Sequence, residues 1–559
     1  MEELDAILEA ARKAALSKEQ HRKLKAAVDT LAFLTSEIED KSTTIARLRK
    51  MLFGKTTEKT AEVFPDGAKP GECEPARSDA AGRREGEGNG GEGGGGEPGT
   101  EEAQGEKKKR KGHGKNGHDA YGGAESIDVP HPSLKPGDPC PVTNCNGKVY
   151  RIKDPAVLVR IVGRAPLGAT VYRLERLRCN LCLSIFTAKP PPGVGDKKYD
   201  ESSAAMIALL KYGSGLPFNR LERLEGNLGI PLPAATQWEI VEEVALLLRP
   251  VYRAIIRAAA QGEVIHNDDT PAKILALMGE RREKALAKGD ITSGERTGLF
   301  TSGIISRVGE LKIALFFTGR KHAGENLEDL LKERAPELKK VIQMCDALAA
   351  NVTGDLKVIL ANCLAHARRQ FVDVAPSFPA ECRFVLEMLG EVYKVDAEAR
   401  SEKMTPQERL RFHRERSWPH VKALRMWMRK QLTERLVEPN SGLGKAIVYM
   451  KRHWKKLTRF LHVPGAPLDN NVCERALKKA IIHRKNSLFF KTENGAQVGD
   501  IFMSLIHTCE LSGENPFEYL TALQRHAGEM AAAPADWLPW SYRETMARTA
   551  AGNVASGSA

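Results

Sequence analysis

The sequence has no long run of apolar residues. None of its apolar stretches approaches the roughly 18 consecutive residues that a membrane-spanning helix needs. The first residues, MEELDAILEAARK, also lack the basic segment followed by an apolar segment that marks a secretory signal. We therefore expect a protein that stays in the cytoplasm and has no membrane partner.

Cysteine is also scarce, with 10 residues in a chain of 559. This number is small for a fold held together by disulfides and favours a reducing compartment. Four of the cysteines form two close couples, Cys140 with Cys145 and Cys179 with Cys182, and strand-like sequence separates the couples. Because four thiolates satisfy the tetrahedral preference of zinc, this spacing predicts a zinc ribbon over residues 119–195. The alternatives are reduced cysteines without a ligand and a structural zinc module that does not contact DNA.

The length and charge of the chain point to several domains and to an anionic partner. A chain of 559 residues exceeds the size of a single hydrophobic core and indicates roughly three or four domains. Its 85 Lys and Arg residues outnumber the 72 Asp and Glu residues, which gives a net charge of +13. This balance favours nucleic acid as a partner, although a basic protein without such a partner has the same composition.

The N-terminal region combines a heptad pattern with a segment of low complexity. From Leu24 to Leu52, apolar residues recur at every seventh position, which predicts a coiled coil within residues 1–56. Such a coiled coil predicts a homo-oligomer, and the alternative is a single amphipathic helix folded onto its own domain. Residues 57–118 are rich in Gly, Glu and Lys, and they have too few apolar residues to form a core. We predict a disordered linker there.

Residues 196–258 have the pattern of helices separated by Gly and Pro. The stretch from Leu216 to Val244 has helix-turn-helix character, with a second helix that begins between Pro233 and Thr236. Because helical hairpins of this kind are common, DNA reading and ordinary packing are both open interpretations of the segment.

Strand patterns dominate the next part of the chain. EVIHNDDTPAKIL has the pattern of a strand that carries Asp268 and Asp269 near its end, and LFTSGIISRV and LKIALFFTG follow as two more strands. After a helix from Ala323 to Ala335, KKVIQMCDA forms a fourth strand that ends at Asp346. This order is that of an RNase H-like core, in which the first and fourth strands are neighbours. We therefore expect Asp268 and Asp346 to meet.

A third acid is expected from a helix packed against this sheet. In PLDNNVCERALKKAIIHRKNSLFF, either Asp469 or Asn470 is a candidate N-cap, which places Glu474 in the first turns of a helix. Lys478 and Lys485 follow at i+4 and i+11, on the same face as Glu474. One surface of this helix therefore carries both carboxylate and ammonium groups.

These residue types suit phosphodiester chemistry. In-line attack on a phosphate needs positive charge over the attacking and leaving oxygens, which two magnesium or manganese ions about 4 Å apart can supply. Since carboxylates bind such ions, the candidate catalytic and metal-binding residues are Asp268, Asp346 and Glu474. The candidate DNA-binding residues are the basic residues Lys478, Arg484, Lys485, Arg368 and Arg369. A structural salt bridge is the alternative for Arg368 and Arg369.

The chain between Asp346 and Glu474 is far longer than an ordinary loop and contains helical patterns. We predict a helical insertion at about 360–465 within a core that spans 259–512, followed by a C-terminal tail over 513–559. Cys363 and His366 lie at the start of the insertion. They do not predict a metal site, because the insertion supplies no second pair of ligands.

Several segments carry a resemblance to a known family: IHNDDTPAKIL, NCLAHARRQFVDV, APLDNNVCERALKKAIIHRKNSLFF, GDIFMSLIHTCELSG, LFGKTTEK and the cysteine module. Together they resemble the large transposase (TnpC type) of the bacterial insertion-sequence-sixty-six (IS-sixty-six) family, over nearly the whole chain. The resemblance implies that Asp268, Asp346 and Glu474 are a DDE triad. It further implies that the cysteine module and helical segment bind transposon ends, and that the leading helix is a leucine-zipper-like oligomerisation region. It also implies small companion proteins and a location at the bacterial nucleoid.

This chain departs from the family at one acid. The family has glutamate after the first aspartate of the triad, whereas this chain has Asp269. Either a role at the metal site or a purely structural role is open for Asp269.

The sequence thus predicts a multidomain α+β protein with a coiled coil, a zinc ribbon, a helical DNA-binding segment and an RNase H-like core. The predicted function is DNA transposition, in which hydrolysis exposes a 3′ hydroxyl at each element end and that hydroxyl attacks target DNA. One alternative is an accessory protein that binds DNA ends and has an inactive core, although the intact set of three acids argues against it. The other is a nuclease that cuts without joining.

Overall fold

The computed structural model describes most of the chain beyond residue 131. The described residues are 132–141, 145–150, 166–178, 185–194, 197–289, 296–354 and 358–556. They fall into two compact units, one ending at Pro166 and the other beginning at Leu167. The predicted coiled coil, the predicted linker up to residue 118, and Cys179 and Cys182 of the predicted zinc ribbon lie outside the described residues.

The larger unit is a mixed α+β structure that begins with a two-stranded antiparallel sheet. Its strands are β1 (Arg176–Arg178) and β2 (Ile185–Thr187). Three helices follow: α1 (Glu201–Ala208), α2 (Phe218–Asn227) and α3 (Ala234–Ala260). A π-helical segment, Leu209–Gly213, extends α1.

The predicted helix-turn-helix corresponds to α2 and α3. Helix α3 begins at Ala234, within the predicted range, but it runs for 27 residues and packs one face against the central sheet. Val241, Leu248 and Ile255 on that face are fully buried. The first Lys or Arg in α3 is Arg249, so the first half of the helix offers no cation to a DNA phosphate. The geometry gives α3 a packing role, and DNA reading by this segment stays a prediction.

A five-stranded mixed sheet forms the centre of the larger unit. Its strands are β3 (Val264–Pro271), β4 (Phe300–Val308), β5 (Leu311–Gly319), β6 (Ile342–Cys345) and β7 (Ile359–Asn362). Their spatial order is β5-β4-β3-β6-β7. Strand β4 is antiparallel to β3 and β5, whereas β6 is parallel to β3 and β7. Two helices connect the strands: α4 (Gly279–Lys288) and α5 (Ala323–Leu331).

The four strands and the helix predicted for the core are all present. Strand β3 contains Asp268 and Asp269, and β6 ends one residue before Asp346. The sheet also has a fifth strand, β7, which overlaps the start of the range predicted as a helical insertion. This strand has only four residues, too few for a clear periodic pattern in the sequence.

Five helices follow β7: α6 (Leu364–Val374), α7 (Pro379–Ser401), α8 (Pro406–Phe412), α9 (Trp418–Thr433) and α10 (Gly442–Leu457). They enclose a second hydrophobic core that includes Phe371, Leu386 and Leu424. Met344 of β6 and Ala361 of β7 belong to the same core. The helical region is therefore anchored to the β6–β7 side of the sheet.

The remaining helices return the chain to the sheet. They are α11 (Asn471–Ser487), α12 (Glu493–Leu511), α13 (Pro516–Arg525), α14 (Ala527–Ala532) and α15 (Tyr542–Ser556). Helix α11 packs across β3 and β4, and α12 packs along β5. Tyr519, Trp537 and Tyr542 bury the last helices in the main core, so the segment after residue 512 is part of this folded unit. Among the described helices, none has an apolar stretch of membrane-spanning length.

Helix α12 satisfies the backbone of the edge strand β5. Asp500, Ser504 and Thr508 are spaced four residues apart, and they accept hydrogen bonds from three alternate backbone N–H groups of β5 at 2.7, 2.9 and 3.0 Å. A buried backbone donor without a partner costs about 1–3 kcal/mol, and a free strand edge invites pairing with another chain. The polar stripe of α12 therefore both stabilises and closes this edge.

The buried carboxyl group of Asp500 predicts a pH-dependent stability. Burial raises its pKa to about 8, against the hydrogen bonds from Thr318. Because the unfolded chain has an Asp pKa near 4, the folded state binds the extra proton between about pH 4 and 8. The stability that this proton contributes is present at low pH and is lost as the pH rises through about 8. We expect Asp500→Asn to raise the thermal unfolding midpoint, relative to the wild type, more at pH 9 than at pH 5.

The matched control is Glu310→Gln, at an exposed turn. The difference in unfolding midpoint between this variant and the wild type should be almost the same at every pH. A constant difference between Asp500→Asn and the wild type from pH 5 to 9 would contradict the assignment of a protonated Asp500.

Gly303 allows the close approach of α11 to β4. A Cβ atom at this position would lie 2.8 Å from Leu477 Cδ2. We expect Gly303→Ala to lower the free energy of unfolding by about 1–3 kcal/mol, because α11 must shift. The control is Gly390→Ala in helix α7, where the new Cβ would meet no atom within 4 Å in the described part of the chain beyond its own helix backbone, and it should stabilise the protein by about 0.5–1 kcal/mol. Equal thermal unfolding midpoints for the two variants would contradict this packing.

Candidate active site

The three predicted acids come together at one end of the central sheet. Asp268 lies in β3, and Asp346 follows the last residue of the parallel strand β6. The register pairs His266 with Met344, so two residues further along Asp268 and Asp346 are level with each other. Glu474 lies in the first turn of α11, which packs over β3.

Asn351 joins the first two acids. Its side-chain amide donates to Asp268 Oδ1 at 3.1 Å and to Asp346 Oδ1 at 2.7 Å. Its own backbone carbonyl accepts hydrogen bonds from Asn267 Nδ2 at 2.7 Å and Gln343 Nε2 at 2.8 Å. Asn351 is buried, so this network fixes the position of its amide beneath the two carboxylates. Sequence reasoning missed Asn351, because no spacing rule connects it to β3.

The acids repel one another in a poorly solvated position. Burial is the main cause that raises the pKa of Asp268 to about 7. The negative charges of Asp346, Glu474 and Asp269 raise it further, whereas the backbone N–H of Asp269 lowers it. A cation at this place would relieve the repulsion.

Asp269 has a different role from Asp268. Its Oδ1 accepts from Ser302 Oγ at 2.7 Å, and its Oδ2 lies 2.8 Å from His322 Nδ1 and accepts the backbone N–H of Ala323 at 3.0 Å. Neighbouring residues in a strand point to opposite faces, so Asp269 faces α5 while Asp268 faces α11. The contacts of Asp269 fix the start of α5 to the sheet, which is a structural role.

Asn470 positions the helix that carries Glu474. Its side-chain Nδ2 donates to the carbonyl of Asn267 at 3.1 Å, and its Oδ1 lies 3.1 Å from His266 Nδ1. Burial lowers the pKa of His266 to about 4, so the ring is neutral near pH 7 and Nδ1 is the donor. The carbonyl of Asn470 accepts the backbone N–H of Glu474 at 3.1 Å. This buried amide therefore ties the first turn of α11 to β3.

The carboxylate of Glu474 faces two residues of α6. His366 Nδ1 lies 3.6 Å from Glu474 Oε1, and Arg369 Nη2 lies 3.9 Å from Oε2. Oε1 is buried and has no hydrogen-bond partner in the part of the chain that the structure describes. Arg368 is half-buried and already interacts with other groups of the protein.

Cys363 adds a third potential metal ligand beside Glu474. The ligand atoms of Cys363, His366 and Glu474 lie within 4.8 Å of one another, close enough to hold one ion. Burial raises the pKa of the Cys363 thiol to about 12, and its sulfur accepts the backbone N–H of Asn470 at 3.2 Å. The three residues are therefore a candidate site for one ion, while the hydrogen bond from Asn470 gives the Cys363 sulfur a packing contact of its own.

The basic residues of α11 have two different environments. Lys478 and Lys485 are exposed, and neither forms an ion pair within the described ranges. Arg484 instead donates to Thr270 Oγ1 at 3.0 Å and to the carbonyl of Pro271. Its guanidinium group ties α11 to the end of β3, a contact that the sequence alone did not predict. Lys478 and Lys485 are therefore better placed than Arg484 to contact DNA.

Comparison with known proteins assigns the chain to a family. The family model described as "Transposase IS66 family" matches residues 197–498, more than half of the chain. The chain belongs to the Transposase IS66 family. The match includes Asp268, Asp346 and Glu474. Transposases act on DNA, so membership of the Transposase IS66 family implies DNA binding.

Three proteins of Sinorhizobium fredii (strain NBRC 101917 / NGR234) are similar to this Transposase IS66 family member. "Uncharacterized protein y4jD" is 25% identical, over 67% of this chain and 72% of its own length. "Uncharacterized protein y4hP" is 24% identical over 67% and 68%, and "Uncharacterized protein y4qI" is 26% identical over 61% and 62%. Their names state no activity, so the family assignment rests on the match over residues 197–498.

One couple of the predicted zinc ribbon lies in the smaller unit, at a tight turn. The backbone N–H of Cys140 donates to the carbonyl of Gly147 at 2.8 Å, which closes the turn. The backbone N–H of Gly147 and the thiol of Cys140 lower the pKa of Cys145. These contacts bring the two sulfur atoms together and favour the thiolate form that a metal requires. The second couple lies outside the described residues.

The different roles of Asp268 and Asp269 predict opposite effects on stability. In metal-free buffer at pH 8, Asp268→Asn should raise the free energy of unfolding by on the order of 1 kcal/mol, because it removes a buried charge that faces two others. Asp269→Asn should lower it by about 1–3 kcal/mol, because it weakens the contacts to His322 and Ala323. Thermal unfolding midpoints of the two variants measure the difference. Destabilisation by Asp268→Asn, or no effect of Asp269→Asn, would overturn these roles.

Proposed function

We propose that this protein is a DNA transposase that cuts and rejoins DNA at a site formed by Asp268, Asp346 and Glu474. The observation that carries the proposal is the convergence of these carboxylates from β3, β6 and α11 in a member of a transposase family. The strand order, in which the first and fourth strands of the core are parallel neighbours, supports an RNase H-like catalytic core.

The chemistry of the three acids suits magnesium or manganese. Both ions take oxygen ligands, and three carboxylates supply them. Two features favour a cation between the acids: Glu474 Oε1 is buried and has no hydrogen-bond partner among the described residues, and the pKa of Asp268 is raised to about 7. Asp268, Asp346 and Glu474 would hold the ions. When bound, the ions would supply positive charge over the attacking and leaving oxygens of a phosphoryl transfer.

The other residues of the site would orient the acids and the DNA. Asn351 holds the carboxylates of Asp268 and Asp346 side by side, and Asn470 fixes the first turn of α11 against β3. Lys478 and Lys485, exposed on the same helix, would bind backbone phosphates. Such positioning is a large part of catalysis in phosphoryl transfer, since little covalent chemistry is left to the protein.

The proposed reaction has two stages at one site. Hydrolysis exposes a 3′ hydroxyl at each element end, and that hydroxyl then attacks a phosphodiester of the target DNA. Because an element has two ends, at least two copies of the chain would act together, and the predicted N-terminal coiled coil would join them. We also propose small companion proteins, encoded by the same element, as partners of this protein.

Recognition of the element ends is proposed for the cysteine module. Cys140, Cys145, Cys179 and Cys182 would bind one structural zinc ion, and the turn that brings Cys140 and Cys145 together supports this ligand set. A zinc module of this kind would position basic residues of the N-terminal half on DNA.

The alternatives are an accessory protein that binds DNA ends without cutting them and a nuclease that cuts without joining. The three acids and the buried amides that hold them argue against the accessory role, because such an arrangement costs stability and gives a binding protein no benefit. A transposase joins the cut ends to target DNA and a nuclease does not, so the joining reaction distinguishes these two functions.

The test is cleavage and strand transfer on the element's own end DNA with magnesium or manganese. We expect Asp346→Asn and Glu474→Gln each to reduce both reactions by on the order of 10²–10³-fold or more, because transition-state charge loses its stabilisation. End-labelled donor DNA that becomes covalently linked to a target plasmid measures joining.

Glu310→Gln is the matched control, since it also neutralises one acid but lies at the exposed turn between β4 and β5. It should retain wild-type rates, and the two site variants should still bind DNA. If Asp346→Asn joined DNA as fast as the wild type, the proposed site would be wrong. Cleavage without joining would favour the nuclease, and binding without either reaction would favour the accessory protein.

A further inference from the structure

The helices that follow β7 contain an unusual concentration of positive charge. Between Pro406 and Leu461 there are 15 Lys and Arg residues and only 4 Asp and Glu residues. Helix α10 has five basic residues and no acidic residue. The net charge of this stretch accounts for most of the +13 of the whole chain. A charge excess of this size must be offset by solvent and salt or by an anionic partner.

One face of α10 carries basic side chains at regular helical spacing. Four residues with the spacing i, i+4, i+7 and i+11 lie above one another along the helix: Lys445, Tyr449, Arg452 and Lys456. The three basic side chains are exposed, and none of them forms an ion pair with an acid in the described parts of the chain. Tyr449 is half-buried between them, and its ring lies 4.8 Å from that of His453. We call these four residues the α10 face.

The α10 face borders the acid site. Helix α10 packs on β7, and β7 lies beside β6 with Cys345 opposite Asn362, so the ends of both strands meet under the helix. Burial raises the pKa of Tyr449 to about 12, and the nearby charge of Asp346 adds to the shift.

We propose that the α10 face binds the backbone phosphates of the DNA segment that reaches Asp268, Asp346 and Glu474. This inference rests on the proposed function, and it assigns the helical insertion a part in holding substrate. Exposed Lys478 of α11 and the α10 face would then contribute cations from two separate helices that flank the acids. Lys and Arg at these positions bind phosphate without reading sequence, so the contact serves element ends and target DNA equally.

The first experiment measures binding of the full chain to a labelled 30-base-pair duplex of arbitrary sequence, without divalent metal. Fluorescence anisotropy is recorded over a range of KCl concentrations. Each phosphate contact adds about 0.9 to the slope of log K against log salt. We expect the triple variant Lys445→Gln, Arg452→Gln, Lys456→Gln to reduce that slope by about 2 to 3 and to weaken binding by about 10-fold or more.

The control variant Lys312→Gln, Lys339→Gln, Lys340→Gln removes the same charge at the opposite end of the sheet. Its three exposed side chains lie at or just before the starts of β5 and β6, whereas Asp346 follows the end of β6. It should change the affinity by less than about 2-fold. If the two triple variants lost the same amount of binding affinity, net charge alone would explain the loss and the proposal would be wrong. An unchanged slope in the α10 variant, or a wild type that binds no duplex, would also overturn it.

A second measurement uses the wild-type chain and does not depend on the folding of a variant. Lysines are acetylated with a water-soluble reagent in the presence and absence of the duplex, and each site is quantified by mass spectrometry. Lys445 and Lys456 should be protected by DNA, whereas Lys339 and Lys340 should react equally in both samples. Equal reactivity of Lys445 and Lys456 with and without DNA would contradict the proposal.

These tests separate this proposal from the proposed function. Binding and protection are measured without metal, so they do not depend on catalysis by the three acids. If Asp346→Asn retained strand transfer while the α10 variant lost binding, the active-site assignment would fail and the α10 face would stand. The reverse result would leave the active site in place and remove the α10 face from DNA binding.

Discussion

The carboxyl groups of Asp268 in β3 and of Asp346, directly after the parallel strand β6, are held close together, and much of the surrounding structure serves to hold them there. Parallel pairing of β3 with β6 makes the two residues level, and Asn351 donates one hydrogen bond to each carboxylate. The network of Asn267 and Gln343 then fixes the backbone of Asn351. The side-chain oxygen of Asn351 is buried and has no hydrogen-bond partner among the described residues, so the network holds the acids through the two amide N–H groups of Asn351 and through its backbone carbonyl.

The need to hold the acids in one position also explains why polar side chains connect the helices of the core to the sheet. Asp269 anchors α5, Asn470 anchors α11, and the polar stripe of α12 completes the hydrogen bonds of the edge strand β5. Each of these side chains joins a helix to the sheet at one fixed position, whereas apolar contacts alone would allow sliding. The acids therefore lie on a rigid frame, which suits a site that must hold two reacting groups in line.

Much of this frame could be predicted from the sequence. The contacts that could not be predicted each have a physical reason. Alternating apolar residues predicted the strands that carry Asp268 and Asp346, and the Asp469–Asn470 pair placed Glu474 at a helix start, where the structure has it. Asn351 and Asn470 act through contacts with residues distant in the chain, which periodicity does not reveal. Arg484 is next to Lys485 in α11 but points about 100° away from it around the helix axis, and it binds the end of β3. The predicted coiled coil remains a prediction.

The proposed reaction depends on one cation-binding centre formed by Asp268, Asp346 and Glu474. The most direct measurement is a crystal structure of the intact chain grown with Mn²⁺, using anomalous scattering to locate the ions. We expect an anomalous peak between the carboxylates of Asp268 and Asp346, with Glu474 turned toward it. A peak bound instead by Cys363, His366 and Glu474, or an acid site that stays empty at saturating Mn²⁺, would contradict this expectation.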